Sequence, residues 1–263
     1  MIQQLDVFGL KVSDFELNDV RALYNKTIKE DQSIVIFGHS LGYITLFKKY
    51  PELYKIINSF DLLVCDGTQF NWYCKQNNFK LKTVISIPDI TISSLDYANT
   101  NHLKILLFGA KESINNKACE NLKLQYPNIT ILPGINGYFN ESQELDIVSK
   151  ISELKPHILL IGISTPIKEQ FVYKYKDQLN TNIIIPCGGM IDVLSGYTKQ
   201  SPEWVKKMGF ATPYRIIQEP KRLFWLHTWM IYEIIFKILP ITMFNKIILR
   251  KKEFNLVQKY LKK

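Results

Sequence analysis

Six short apolar runs, each followed within three residues by a glycine or an aspartate, set the limits on what this 263-residue chain can fold into. They are Ser33–Phe37, Leu62–Cys65, Leu103–Phe108, Ile129–Leu132, Ile158–Ile161 and Ile183–Ile185. Ser33–Phe37 is a short β-branched run, the pattern of a buried parallel strand, and the others are similarly short and apolar. Helical stretches separate them: one starting near Glu16, one from Ser40 to Tyr50 stopped by Pro51, and one from Ser113 to Gln125. Leu5–Phe8 with Leu10–Val12 reads as a short strand at the start. Strands alternating with helices predict an α/β fold, a mostly parallel doubly wound sheet with helices on both faces. Ligands in that architecture bind outside the carboxyl ends of the strands. Asp66, Gly109, Gly137-Tyr138, Gly162–Glu169 and Gly188–Asp192 all follow strand ends and are expected to share one crevice.

After the sixth run the character of the chain changes. Gly188-Gly189 removes two side chains where a ligand approaches the backbone, and Asp192 stands near a helix start. Ser201-Pro202-Glu203-Trp204 reads as a new helix with Ser at the N-cap and Pro at its first position. Tyr214-Arg215 and Glu219-Pro220-Lys221-Arg222 follow. Residues 203–263 carry 13 Lys and Arg against 4 Asp and Glu, which accounts for the whole formal net charge of +9. Residues 1–202 are therefore read as the main domain and 203–263 as a basic appendage, with a negatively charged partner expected. Leu223–Leu249 is apolar and aromatic, but Glu233, Lys237 and Pro240 leave no uninterrupted span for a bilayer. Its Trp and Phe residues with flanking cations suit a helix lying in a membrane interface; a helical pair packed on the main domain or on a neighbouring subunit is the alternative.

Cys65, Cys74, Cys119 and Cys187 form no CxxC pair, so a reduced protein without structural zinc is expected. Met1–Leu10 has neither the basic start nor the apolar core of a signal peptide. Asp66-Gly67 behind a buried strand offers either a general base or a helix-capping carboxylate. Pro166 and Glu169 open a helix after Gly162, and hydroxyls with backbone N–H groups there suit a phosphate or sugar; equally, Lys168 is a solvated helix residue and Pro166 a first helical position. Tyr138 either stacks on a ligand or joins Phe139 in the core. His39 is expected to be a satisfied structural histidine, and no DxD pair that would hold a divalent metal is present.

The order of Gly188-Gly189-x-x-Asp192, Pro202-x-Trp204, Tyr214-Arg215 and Glu219-Pro220-x-Arg222 resembles the WecG/TagA/CpsF glycosyltransferases, family 26. The likeness extends to Gly134–Phe139 and to Gly162–Glu169. It implies a Rossmann-like fold and an inverting transfer from a UDP-sugar donor onto a polyprenyl-diphosphate-linked acceptor; no cofactor is expected, and the lack of a DxD pair predicts a metal-independent transfer. The sugar implied is of the N-acetylmannosamine type, and the product feeds a surface polysaccharide or teichoic-acid-like polymer. Asp66 is implied as the base. Gly109, Gly137, Tyr138, Gly162, Pro166, Lys168, Glu169, Gly188, Gly189 and Asp192 are implied around the nucleotide-sugar. Tyr214, Arg215, Glu219 and Arg222 are implied near the diphosphate, at the inner face of the cell membrane.

The chain departs from the family pattern at Gly38-His39-Ser40, Gln69, Lys168, Gln200-Ser201 and Thr212-Pro213, and offers only Lys82 where an Arg is expected. Two other functions compete: a membrane-surface binder without catalysis, and a nicotinamide-dependent oxidoreductase, the latter disfavoured because no G-x-G-x-x-G follows the first strand. No nucleic-acid motif is present, and exposed aromatics in the appendage would favour self-association away from lipid.

Overall fold

The computed structural model describes residues 2–82, 84–250 and 253–261, with the side chains of Lys207, Arg222, Trp225, Leu226 and His227 outside the description. The chain opens with a hairpin of strands β1 (Gln3–Val7) and β2 (Leu10–Asp14). Phe8 and Gly9 both have positive φ, so Phe8 belongs to the two-residue turn, the geometry that matches the strand twist. Ser13 Oγ accepts the Leu63 amide at 3.0 Å and ties the hairpin to the main sheet.

That sheet contains the six expected strands: β3 (Ile34–His39), β4 (Leu62–Cys65), β5 (Lys104–Gly109), β6 (Thr130–Ile131), β7 (Ile158–Gly162) and β8 (Ile183–Pro186). All neighbours run parallel, in the order β4-β3-β8-β7-β5-β6. Successive side chains alternate between two cores. Val35, Phe37, Leu63, Leu106, Phe108, Leu159, Ile161 and Ile184 enter one, while Ile34, Ile36, Leu62, Val64, Ile105, Leu107, Ile158, Leu160, Ile183 and Ile185 enter the other. This two-sided burial is why most of the runs show no polar alternation; the expectation fails at the edge strand β6, where Thr130 is exposed and Ile131 half-buried.

Two local expectations shift, one after β3 and one at Ser201. The helix after β3 covers Leu41–Leu46 and then closes in a turn, with Tyr50 N–H bonding Leu46 O at 2.8 Å. A separate helix spans Glu52–Asn58. Ser201 does not cap the next helix: Pro202 is the N-cap residue of Glu203–Lys207, and Ser201 Oγ instead donates to Ala211 O at 3.5 Å. Pro240 does not interrupt the long appendage helix. It continues from Pro220–Glu233 through wide turns at Ile234–Ile238 and Phe244–Ile248, which flank the short segment Leu239–Met243. Such widened turns relieve the ring clash and the missing donor that proline introduces.

The appendage packs on the main body. Ile234, Ile238, Leu256, Val257 and Tyr260 enter the same core as Phe37 and Phe70. Met230 occupies the space a side chain on Gly42 would need, so the long helix sits directly on helix 41–46. The Tyr73 hydroxyl donates to Phe254 O and accepts from Leu256 N, each at 2.9 Å. All four cysteines are buried free thiols.

Candidate active site

The carboxyl ends of β3, β4, β7 and β8 meet beneath the appendage. Asp66 follows β4 and extends its pairing by one rung, its amide donating to His39 O at 2.9 Å. Gly67 then takes φ +100, a conformation open to glycine, and a side chain there would meet nothing within 4 Å. The chain therefore turns away from Asp66 and leaves the space beside it free. The carboxylate is half-buried and accepts the Ile87 amide at 3.4 Å. Burial pushes its pKa up to about 6. The Asp89 charge adds to that rise, while the Ile87 N–H, Arg215 and Lys168 oppose it. A carboxylate with that pKa is ionised at neutral pH yet a much stronger base than an exposed aspartate.

Gly38 lies under this group. A Cβ there would overlap Ile87 Cγ1 and come within 2.9 Å of Asp66 Oδ2. At this departure from the family pattern, Ile87 and Asp66 fill the space that a side chain would need.

Arg215 reaches the same place from the appendage, on helix Ala211–Gln218. Its guanidinium occupies the position a Gly189 side chain would take, and its charge acts on both Asp66 and Cys187. Gly188 has φ +57 and open space on its Cβ side. Asp192 is buried in helix Met190–Leu194; Tyr214 is half-buried within the Arg215 helix, and Glu219 is half-buried at its C-cap. Arg222 begins the long helix, but its side chain lies outside the described residues.

The glycines over β5 and β7 behave differently. A side chain on Gly109 would collide with the Gly162 backbone, one on Gly137 would sit 2.7 Å from Gly109 Cα, and one on Gly162 would sit 2.8 Å from Gly188 O. Asn115 Nδ2 seals this region by bonding the carbonyls of Leu107, Gly109 and Ile135. Here the missing side chains admit backbone. The pair beside them divides: Tyr138 is 60% exposed, whereas Phe139 stacks on Phe108 and Phe171.

Lys168 is not solvated. It is buried, and its ammonium bonds Glu169 Oε1 at 2.6 Å, Tyr43 Oη at 2.7 Å and Thr165 Oγ1. Three acceptors satisfy its three N–H groups. Tyr43 and Thr165 in turn donate to Glu169 Oε1, at 2.7 and 3.0 Å, while Glu169 Oε2 is buried with no hydrogen-bond partner. Pro166, joined to Thr165 by a cis peptide, is the cap residue of helix Ile167–Tyr175 and not its first residue. His39 lies in the core against Phe70, as a structural histidine would, but it is not satisfied: neither ring nitrogen has a partner. Burial lowers its pKa to about 3 and keeps it neutral.

Several residues at this site escape a reading of strand-end motifs. Asp89 faces Asp66, Tyr43 anchors the Lys168 pair, and Gln69 donates to Gly209 O at 3.1 Å, bridging the Asp66 loop to the appendage. Lys206 reaches Asp89 Oδ1 at 3.6 Å across the same seam. The Ser86-x-x-Asp89 capping signature was the available signal for Asp89; the others depend on contacts between distant parts of the chain. Among the described residues, no group of three or more His, Cys, Asp or Glu is placed to hold a metal ion. No described helix is long and apolar enough to cross a membrane.

Comparison with known proteins agrees with this architecture. The family model "Glycosyl transferase WecG/TagA/CpsF family" matches residues 5–246. The chain is similar to the N-acetylglucosaminyldiphosphoundecaprenol N-acetyl-β-D-mannosaminyltransferase of Bacillus subtilis (strain 168), 27% identical over 66% of this chain and 67% of that protein. The enzyme of the same name from Staphylococcus aureus (strain MRSA252) is 28% identical over 70% of each chain. That from Bacillus spizizenii is 25% identical over 84% of each.

Proposed function

This chain belongs to the glycosyl transferase WecG/TagA/CpsF family, and from that premise we propose that it transfers an N-acetylmannosamine-type sugar from a UDP-sugar to a polyprenyl-diphosphate-linked acceptor, with inversion. The names of its relatives specify a mannosaminyl transfer onto N-acetylglucosaminyl-diphosphoundecaprenol, which supports the sugar and acceptor classes. One observation carries the reading: a half-buried carboxylate with pKa about 6 stands at a strand end with an arginine of the appendage beside it.

In this reading Asp66 removes the proton from the acceptor hydroxyl as its oxygen attacks the anomeric carbon. The bond to the nucleoside diphosphate breaks, and Arg215, with Arg222, stabilises the charge that builds on the departing phosphate. Gly188, Gly189 and Asp192 belong to the loop that holds the nucleotide-sugar, and exposed Tyr138 stacks on the base or sugar. The transfer requires no metal.

The protein works at the inner face of the cytoplasmic membrane as a peripheral protein. Trp229, Phe236, Phe244, Ile247 and Ile248 on the long helix are exposed beside a cationic tail, a surface suited to an anionic bilayer interface.

The test is release of UDP from a panel of UDP-sugars, with polyprenyl-diphosphate-N-acetylglucosamine presented in anionic vesicles. Acceptor-dependent release from one sugar, unaffected by EDTA, is the expected result. Release that vanishes with EDTA and returns with manganese would contradict metal-free transfer. No release, with vesicle binding intact, would favour a binder without catalysis.

A further inference from the structure

Two carboxylates share the first turn of the helix Ile87–Thr100. Asp89 completes its capping box: Ser86 Oγ accepts the Asp89 amide at 3.3 Å, and Asp89 Oδ2 accepts the Ser86 amide at 3.2 Å and the Ser86 hydroxyl at 2.6 Å. Asp66 approaches the same helix end from the strand side, accepting the next amide, Ile87 N–H, at 3.4 Å. Gly38 fixes that approach, since Ile87 and Asp66 leave no room for a side chain beneath them. Two like charges therefore draw on one helix N-terminus. The second Asp89 oxygen faces out of the main domain to Lys206 Nζ at 3.6 Å, and Lys206 also holds Glu203 Oε1 at 2.6 Å.

We propose that Asp89 and Lys206 are positioning residues for Asp66. The Asp89 charge strengthens Asp66 as a base, and Lys206, carried in by the appendage, attenuates that charge so that Asp66 is ionised when the appendage is seated.

The other charged groups facing Asp66 leave this pair as the adjustable one. Lys168 is locked in its buried ion pair, Arg215 lies against Gly189, and the neighbouring Cys65 thiol is neutral, its pKa pushed far above the usual range by burial. The ion pair of Asp89 and Lys206, by contrast, crosses the seam between the main domain and the appendage. Loss of Lys206 leaves Asp89 held by Ser86 alone, with no cation to offset its charge, and favours the proton on Asp66; loss of Asp89 does the opposite. The role of Asp66 as base rests on the function proposed above, whereas the coupling of the three charges does not.

The test is a ¹³C-carboxyl NMR titration of the full chain labelled at aspartate, with the Asp66 signal assigned by its absence in Asp66→Asn. The Asp66 midpoint is expected to fall by about half a pH unit or more in Asp89→Asn and to rise by a similar amount in Lys206→Gln. Lys206→Arg should leave it near the wild-type value. Opposed movements cannot arise from general damage to the fold. A midpoint unmoved in both variants, or moved the same way in both, would overturn the proposal. The acid limb of the transfer rate should follow the same displacements. If the midpoints part as stated but the limb does not follow, the coupling stands and Asp66 loses its role as base.

Discussion

The strand ends over β5 and β7 and those over β3, β4 and β8 are both lined with glycine, and they use it in opposite ways. A side chain on Gly109 or Gly137 would meet neighbouring backbone, and one on Gly162 would meet both the Gly188 carbonyl and the Ile191 side chain. Gly67 and Gly188 face open space, and Gly189 makes room for a guanidinium from the appendage. The first region packs the sheet; the second leaves a charged opening beside Asp66. A glycine at a strand end is thus not by itself a sign of ligand approach, and only its neighbours decide which purpose it serves.

The sharpest way to break this comparison is to add one methyl group on each side. Gly109→Ala places a Cβ against the Gly162 backbone at φ +147 and should cost roughly 2–6 kcal/mol, read as a lower denaturation midpoint. Gly189→Ala instead meets the far end of a flexible arginine. It should leave the midpoint nearly unchanged while turnover falls roughly ten- to hundredfold as Arg215 is displaced. Equal destabilisation by both would erase the distinction.

Lys168 borders both regions and tests whether its ion pair is structural. Lys168→Met leaves the buried Glu169 charge uncompensated and should destabilise by roughly 3–5 kcal/mol. Lys168→Met with Glu169→Leu should recover much of that loss in the same melt. A tolerated single variant would mean that the ion pair does not hold this region together.

Asp66→Asn should show the cost of a buried base. The folded state raises the pKa of this carboxyl above its unfolded value of about 3.8. The contribution of Asp66 is therefore most favourable at low pH and is lost as pH rises through about 6. Above pH 6 the asparagine variant should be the more stable protein, by roughly 1–3 kcal/mol, with the gain shrinking toward pH 4. A gain that does not depend on pH would point to packing instead.

His39 has the opposite sign. Its folded pKa of about 3 lies below the ordinary 6.5, so its contribution is present above pH 6.5 and is lost as pH falls toward 3. His39→Leu should change stability at pH 7 by no more than about 1 kcal/mol, since it removes two unpaired nitrogens. It should also flatten the loss between pH 6.5 and 4.

Much of the sheet was legible in the sequence because most of its strands are buried on both faces, which leaves short aliphatic runs with a glycine or aspartate after the carboxyl end. Local packing was harder to read. The helix predicted to reach Tyr50 closes after Leu46, where Leu46 and Phe47 turn into the core. The alternative of a solvated Lys168 failed because its acceptor Tyr43 lies 125 residues away in sequence. Asp89 and Lys206 likewise become neighbours only when the appendage folds back over the helix that begins at Ile87. Pairwise electrostatics across such seams leave no trace in spacing, whereas the Arg215 and Asp66 motifs were carried by family resemblance.

The most direct test of the central claim, that chemistry occurs beside Asp66 under the appendage, is the rate of acceptor-dependent UDP release at pH 7.5 by wild type and by Asp66→Asn, with the variant's melt recorded alongside. A fall of roughly a hundred- to ten-thousandfold in a variant that melts no lower than wild type is the predicted result. Release at an undiminished rate by the folded variant would contradict it and move the base elsewhere.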